Sequence, residues 1–316
     1  MFRYILKRLV SSVLVLVIIV TASFFIMRVA PGGPFDTERS MPEEVLQNIQ
    51  AKYNLDKPLW QQYLLQMKSI MLEGDFGPSM KYPNKSVNDI LAEGLPVSMT
   101  LGVQSLVVAL LIGLPAGLIA ALKQNQWADY TAMTGAMVGI SIPNFVLGPI
   151  LIALFAIELP WFAAAGWNSL SAGLVPYLQT SVLPSLALGS AYAAYVARLT
   201  RGGMLEITRQ DYIQTARAKG LREWLIVRRH ALRGALIPVV SYLGPAFAGM
   251  LTGSIVIEQI FNIPGLGSHF VNSAFNRDYP LVLGTIVLYS GLLVVLNLVV
   301  DIAYTVLDPR VSYEDA

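Results

Sequence analysis

Long apolar blocks recur along the chain, each near the length that crosses a bilayer. A helix traverses the hydrocarbon with about 20 predominantly apolar residues. The first block runs from Leu9 to about Val29. The others cover about Pro96–Leu122, Tyr130–Glu158, Ser181–Leu199, Ile237–Phe261 and Leu281–Leu307. Together these six blocks predict an all-α membrane protein of six transmembrane helices, with both ends on one side. Gly, Ala, Ser and Tyr dilute the fourth block, and without it the two ends would fall on opposite sides. Arg3, Lys7 and Arg8 before the first block resemble the basic flank of a secretory signal. The apolar run is longer than such a signal uses and more spans follow, so residues 1–29 read as a retained anchor.

The polar stretches between blocks set the topology. Residues 200–236 hold Arg201, Arg209, Arg217, Lys219, Arg222, Arg228, Arg229 and Arg233 against Glu206, Asp211 and Glu223. Basic loops stay in the cytoplasm, so this segment and the basic N-terminus are expected inside. Residues 30–95 then lie outside as a periplasmic insertion, and 308–316 form a cytoplasmic tail. The insertion reads as helical. Pro42 precedes Glu43–Tyr53, whose first turn is acidic, and a second helix runs from about Pro58 to Leu72. That second helix places Leu59, Tyr63, Met67 and Ile70 near one face, and Gly74, Gly77 and Pro78 end it. The insertion is either a solvated cap on its own membrane domain or a docking surface for an extracytoplasmic partner. Trp161, Phe162 and Trp167 suit an aromatic belt.

Composition agrees with lipid as the solvent: 55% of residues are hydrophobic and 13% charged. A formal net charge of +2 argues against a nucleic-acid partner. The chain has no cysteine, which excludes disulfides and thiolate chemistry, and its only histidines are His230 and His269, which disfavours a histidine-rich metal site. Within the spans, Gly113 and Gly117, Gly135 and Gly139, and Gly249 and Gly253 form small-xxx-small pairs suited to close helix packing. Pro115, Pro143, Pro149, Pro184 and Pro245 predict kinks, as in a deformable bundle around a pathway. Asn144 and Gln259 serve either a polar route or hydrogen bonds between helices. Arg28, Glu158, Glu258 and Asp301 sit near span ends, within reach of the interface. With no acid or base at mid-depth, an ion-coupled secondary transporter lacks its coupling residues. An intramembrane enzyme lacks a nucleophile or metal set. Gly265-Leu-Gly-Ser-His269 reads as a loop turn, since the third glycine of a nucleotide fingerprint is missing. No Gly-Lys pair occurs, so there is no Walker A loop, and any ATP and Mg must be bound by other subunits.

The most informative segment is Asp211-Tyr-Ile-Gln-Thr-Ala-Arg-Ala-Lys-Gly220, followed by Leu221–Leu232. It reads as helix, glycine turn, helix. Thr215, Ala216 and Ala218 allow close approach by a partner, Tyr212, Ile213 and Leu221 offer apolar anchors, and Arg217 and Lys219 add charge. On composition alone it serves equally as a basic loop touching lipid head groups.

This segment resembles the EAA loop of ABC-importer permeases. The family pattern is Glu-Ala-Ala, three residues, Gly, nine residues, then Ile-x-Leu-Pro. Ala216, Gly220 and Leu232 match it, whereas Gln214, Thr215, His230 and Arg233 depart. The departures resemble the oligopeptide and dipeptide permeases, which carry Thr-Ala-Arg-Ala-Lys-Gly-Leu and Arg-His-Ala-Leu with a later proline, here Pro238. Phe2–Leu9, the long insertion, Ile142–Phe145, Thr252–Glu258, Ile263–Gly267, Arg277–Pro280 and Asp308-Pro-Arg310 extend the likeness to B-type subunits of that family. Dipeptide, nickel and glutathione importers share much of this framework. The resemblance implies a type I importer permease fold, with a core domain over 96–307. It also implies a heterodimer with a homologous C-type permease, two ATP-binding subunits and a periplasmic peptide-binding protein, all at the bacterial inner membrane. Tyr212, Gln214, Thr215, Ala216, Arg217, Lys219, Gly220 and Leu221 are then expected to couple the spans to an ATPase. Gln214 in place of the family's acid removes the salt bridge that acid would make.

Overall fold

A computed structural model describes residues 2–29, 33–35 and 43–307; Met41, Pro42 and the tail 308–316 lie outside the described residues. Among the described residues the chain is helical, and its β pairing is one isolated bridge between Pro78 and Ser86. The helices are α1 (Phe2–Val29), α2 (Glu43–Lys52), α3 (Leu59–Lys68), α4 (Val87–Leu122), α5 (Trp127–Ser141), α6 (Asn144–Ile152) and α7 (Leu174–Ile207). They continue as α8 (Asp211–Ala218), α9 (Glu223–Leu225), α10 (Leu232–Ala235), α11 (Ile237–Ile260), α12 (Leu266–Asn276) and α13 (Tyr279–Leu307). Wide π turns extend α3 over Ser69–Glu73 and α6 over Ala153–Glu158, and a third covers Ile226–Ala231.

Five helices, α1, α4, α7, α11 and α13, are long and apolar enough to cross a membrane. A sixth span arises when α5 and the α6 segment are counted together, but they meet at 103°. The continuous third span expected over Tyr130–Glu158 is therefore broken. Pro143 explains the break. It offers no N–H, and its ring forces Ile142 out of the helical region to φ −86°, ψ 116°. Pro115, Pro149, Pro184 and Pro245 instead lie within continuous helix.

The chain divides into two compact units, each described by itself. The larger comprises Val97–Pro264 and Val295–Ala316. Its centre is α7. Of that helix's most apolar stretch 56% is buried, against 11% for α1. Leu101, Leu183, Leu188, Met250, Ile257 and Phe261 form the core that joins α7 to α4 and α11. Backbones come close where Cβ atoms are missing. A Cβ on Gly113 would sit 2.5 Å from the Ala193 carbonyl oxygen, and one on Gly117 would collide with that of Ala197. The other two small-residue pairs do not pack this way. Gly135 has open space, Gly139 and Gly253 make ordinary contacts, and Gly249 meets only the tip of Tyr192. Gly189, where a Cβ would sit 2.6 Å from the Ser105 carbonyl oxygen, makes an approach the spacing did not predict. Gln104 Nε2 donates to Ser181 Oγ (3.1 Å) and Ser185 Oγ donates to Gln104 Oε1 (3.3 Å), so polar groups here bond neighbouring helices. Glu258 lies near the end of α11 as expected, but its side chain is fully buried in the protein. Ser98 Oγ (2.7 Å) and Ser254 Oγ (2.8 Å) donate to its carboxylate, replacing part of the hydration that burial removes.

The smaller unit comprises Met1–Pro96 and Gly265–Val294. Tyr63 of α3 docks on α1, with its hydroxyl 2.8 Å from Thr21 Oγ1 and its ring against Phe24 and Phe25. The Arg277–Pro280 run has a local explanation. Arg277 ends α12 in the left-handed region at φ 56°. Asp278 then caps α13, accepting from the Leu281 N–H at 3.3 Å. The fully buried Asp278 carboxylate also accepts from Ser79 Oγ, which ties the insertion to the start of α13. Asp278→Ala removes both roles and is expected to cost about 2 kcal/mol. Limited proteolysis of the 43–86 region checks this: the variant should be cut several-fold faster than wild type, and an unchanged rate would contradict the tie.

Candidate functional site

Residues 200–236 form a small helical platform in the larger unit. Asp211 places a carboxylate in the first turn of α8, where the helix dipole favours negative charge. The helix ends in a complete Schellman turn. The Gly220 N–H donates to the Arg217 carbonyl (2.9 Å) and the Leu221 N–H to that of Ala216 (3.3 Å), with Gly220 at φ +74°.

The two faces of α8 are distinct. Ile213 is fully buried and Ala216 nearly so. They join Met204, Ile226, Val227, Ala231 and Ala235 in a second core cluster, with Leu118, Ala121, Ile207 and Leu232 packed around it. Ile213 is thus consumed by the chain's own core and cannot anchor a partner. Ala216, expected at the coupling surface, faces the same way and holds the helix down. Tyr212, Gln214, Thr215, Arg217, Lys219, Gly220 and Leu221 are exposed. Tyr212, Thr215 and Lys219 follow at helical spacing along the outward side.

Electrostatics tie the turn together. Arg217 Nη2 donates to Glu223 Oε1 at 2.7 Å and Nε to Oε2 at 3.3 Å. Hydrogen bonding to Arg217 holds the Glu223 carboxyl below its ordinary range. Both side chains are more than a third exposed, so the pair contributes about 0.5 kcal/mol. Gln214, standing where the family has an acid, turns back to donate to the Thr208 carbonyl at 3.4 Å. Thr215 Oγ1 donates to the Asp211 carbonyl at 2.9 Å.

The structure adds three features the sequence reading missed. Trp224 and Leu225 extend the exposed apolar surface beyond Leu221; their signal was two apolar residues directly after Arg222-Glu223. Gly203 of α7 abuts the Ala235 carbonyl of α10, so the platform rests directly on that helix. Arg201 forms a bidentate pair with the buried Asp129 of α5, each bond 2.7 Å. No signal short of the fold joins two residues that far apart in sequence.

At Gly220 a Cβ would meet nothing within 4 Å, so only backbone conformation limits substitution. Gly220→Val should cost about 1–2 kcal/mol and tilt the exit of α8, whereas Gly220→Asn, which tolerates this region, should be milder. The resemblance to importer permeases implies coupling through this turn, so within an ATP-driven complex Gly220→Val is expected to keep ATP hydrolysis and lose most transport. Equal transport by both variants would contradict this.

Comparisons with known proteins identify the family. Residues 113–313 match the family model described as binding-protein-dependent transport system inner membrane component, and residues 1–102 match the model for the N-terminal part of such components. The oligopeptide transport system permease protein OppB of Haemophilus influenzae is 47% identical over 99% of this chain and 100% of its own length. OppB of Escherichia coli K12 is 49% identical with the same coverage. The dipeptide transport system permease protein DppB of Bacillus subtilis is 49% identical over 99% of this chain and 98% of its own. In fold, the chain is similar to the MetNI methionine ABC transporter in an inward-facing conformation. The TM-score is 0.57 at 19% identity, covering 70% of this chain and 97% of that one. The chain is therefore a multi-pass inner membrane protein of the binding-protein-dependent transport system inner membrane component family, the permease subunits of ABC importers, whose ATPase resides on separate subunits.

Proposed function

We propose that this chain forms one half of the pathway by which oligopeptides enter a bacterial cell. It pairs with a homologous C-type permease, receives peptide from a periplasmic binding protein and is driven by two ATP-binding subunits that hold ATP and Mg. Both termini and the 200–236 platform face the cytoplasm, and α2 and α3 face the periplasm. The observation that carries the substrate class is likeness over the whole length to two relatives named as oligopeptide permeases. A dipeptide substrate is the second reading, favoured by a relative of equal similarity named for that role.

The platform supports the driving mechanism. The inward face of α8 is fixed by core packing and its exit by the Schellman turn. A push on the outward face therefore moves α8 and the α7 contact together as a rigid body. An ATPase that binds one bundle conformation better than the other then shifts their populations by that difference in affinity. Reconstitution of the complete complex in liposomes tests the reading. ATP-dependent, vanadate-sensitive uptake of labelled oligopeptides is expected. Uptake driven by an ion gradient without ATP would overturn it, and dipeptides accepted to the exclusion of longer peptides would select the second reading.

A further inference from the structure

Helix α3 and its π turn carry their apolar side outward. Leu59, Trp60, Leu64, Leu65, Met71 and Leu72 are all exposed, Leu72 to 75%, while Gln62 is only 8% exposed. Trp60, Leu64 and Met71 share one stripe at helical spacing. A helix bathed in water shows the reverse pattern. Tyr63 fixes this segment against Thr21, Phe24 and Phe25. Seven residues of helix, Thr21 to Arg28, rise about 10 Å, so the outward face of α3 lies beside the apolar surface of the first span. Phe25 and Ile26 of α1 are exposed there too.

Next to this face lies a cavity of about 150 Å³ whose walls include Arg28, Lys52, Gln62, Leu65, Gln66 and Ser69. Arg28 Nε donates to Gln62 Oε1 at 3.0 Å and Nη1 to the Phe24 carbonyl at 3.4 Å, and the guanidinium carbon sits 3.6 Å from the Phe24 ring centre. Every one of these partners is neutral, and among the described residues no carboxylate pairs with Arg28. A half-buried cation without a counter-ion favours an anion from outside. Leu65 belongs both to the cavity wall and to the exposed apolar face.

We propose that α3 and its π turn lie in the membrane–water interface at the Val29 end of the first span, and that the Arg28 cavity holds the phosphate of a phospholipid head group. The acyl chains run from Leu65 over Leu72. An amphipathic segment with tryptophan on its apolar side and cations beside it is built for that depth. This assignment does not depend on the transported substrate.

Two measurements test it. The chain has no cysteine, so Leu64→Cys and Leu72→Cys can each carry a single nitroxide in vesicles of phosphatidylglycerol and phosphatidylethanolamine. Frequent collision with oxygen and rare collision with a water-soluble nickel complex is expected. Frequent collision with nickel would place the face in water, and collision with neither would mean that a protein partner covers it; either overturns the proposal. In the second, the delipidated, assembled complex is titrated with phosphatidylglycerol and read by native mass spectrometry. Retention is expected to fall at least tenfold in Arg28→Gln and several-fold in Lys52→Gln, the latter serving if Arg28→Gln does not assemble. Unchanged retention in the assembled variants overturns the site. Arg28-dependent binding of inorganic phosphate or peptide without binding of the lipid overturns the assignment to a membrane lipid.

Discussion

Asp129→Ala is expected to destabilise the protein by about 3 kcal/mol, because it leaves the Arg201 guanidinium facing α5 without its counter-ion. The carboxylate is 2% exposed and accepts from Arg201 Nε and Nη2 and from the Asn125 N–H. Arg201 keeps about a quarter of its side chain accessible (26%) and can swing toward water, which limits the loss. Arg201→Ala is expected to be worse, since it strands a buried carboxylate on a single backbone donor. The physical asymmetry thus orders the two variants. Replacing both residues by well-packed neutral side chains should recover most of the loss, and a double-mutant cycle isolates the coupling. For a chain of this size the Asp129→Ala midpoint temperature in the detergent-solubilised complex should fall on the order of 10 °C. A shift within about 2 °C, against the same scale, would show that the pair does not hold α5 to α7.

Gly203→Val is expected to lower ATP-driven uptake at least tenfold, whereas Gly202→Val should leave it nearly unchanged. The two glycines are adjacent on α7 but face different surroundings. A Cβ at Gly203 would collide with the Ala235 carbonyl, and one at Gly202 would meet nothing within 4 Å. Valine at Gly203 must push α10 away from α7, with overpacking that costs about 1–3 kcal/mol. That displacement sits between α8 and the spans, so it lengthens a contact through which a push would travel. Gly202→Val provides the matched control, since it adds the same side chain to the same helix. Equal uptake by the two variants in assembled complexes would remove the α7–α10 contact from the account of coupling.

Much of the fold was legible because lipid leaves a blunt signature. The five continuous spans were found as apolar blocks near their observed positions. The fourth read as diluted for a physical reason: α7 is surrounded by protein, so its small residues serve packing and not lipid contact. The break at Pro143 was not distinguishable from the in-span prolines that helices tolerate. Small-residue spacing predicted three close approaches and one pair, Gly113 and Gly117, makes them. Spacing cannot say which face a neighbour covers. At the platform, the family-matching Ala216 and Leu232 pack in the core cluster and Gly220 makes the turn, while of the departures Gln214, Thr215 and Arg233 are exposed and His230 is half-buried. The shared pattern therefore records how the platform folds, and three of the four departures lie on its surface. The Asp129–Arg201 pair and the Gly203–Ala235 contact join segments distant in sequence, so periodicity carried no trace of them.

In the proposed mechanism the outward face of α8 is the point on which coupling turns, and a photo-crosslinking residue introduced at Thr215 interrogates it directly. Thr215 is exposed on the side opposite Ile213 and Ala216. In membranes holding the whole transporter, illumination is expected to join this position to an ATP-binding subunit, while the same residue placed at Leu64 of α3 yields no such adduct. An assembled complex that hydrolyses ATP yet gives no adduct from Thr215 would contradict the assignment of α8 as the coupling element.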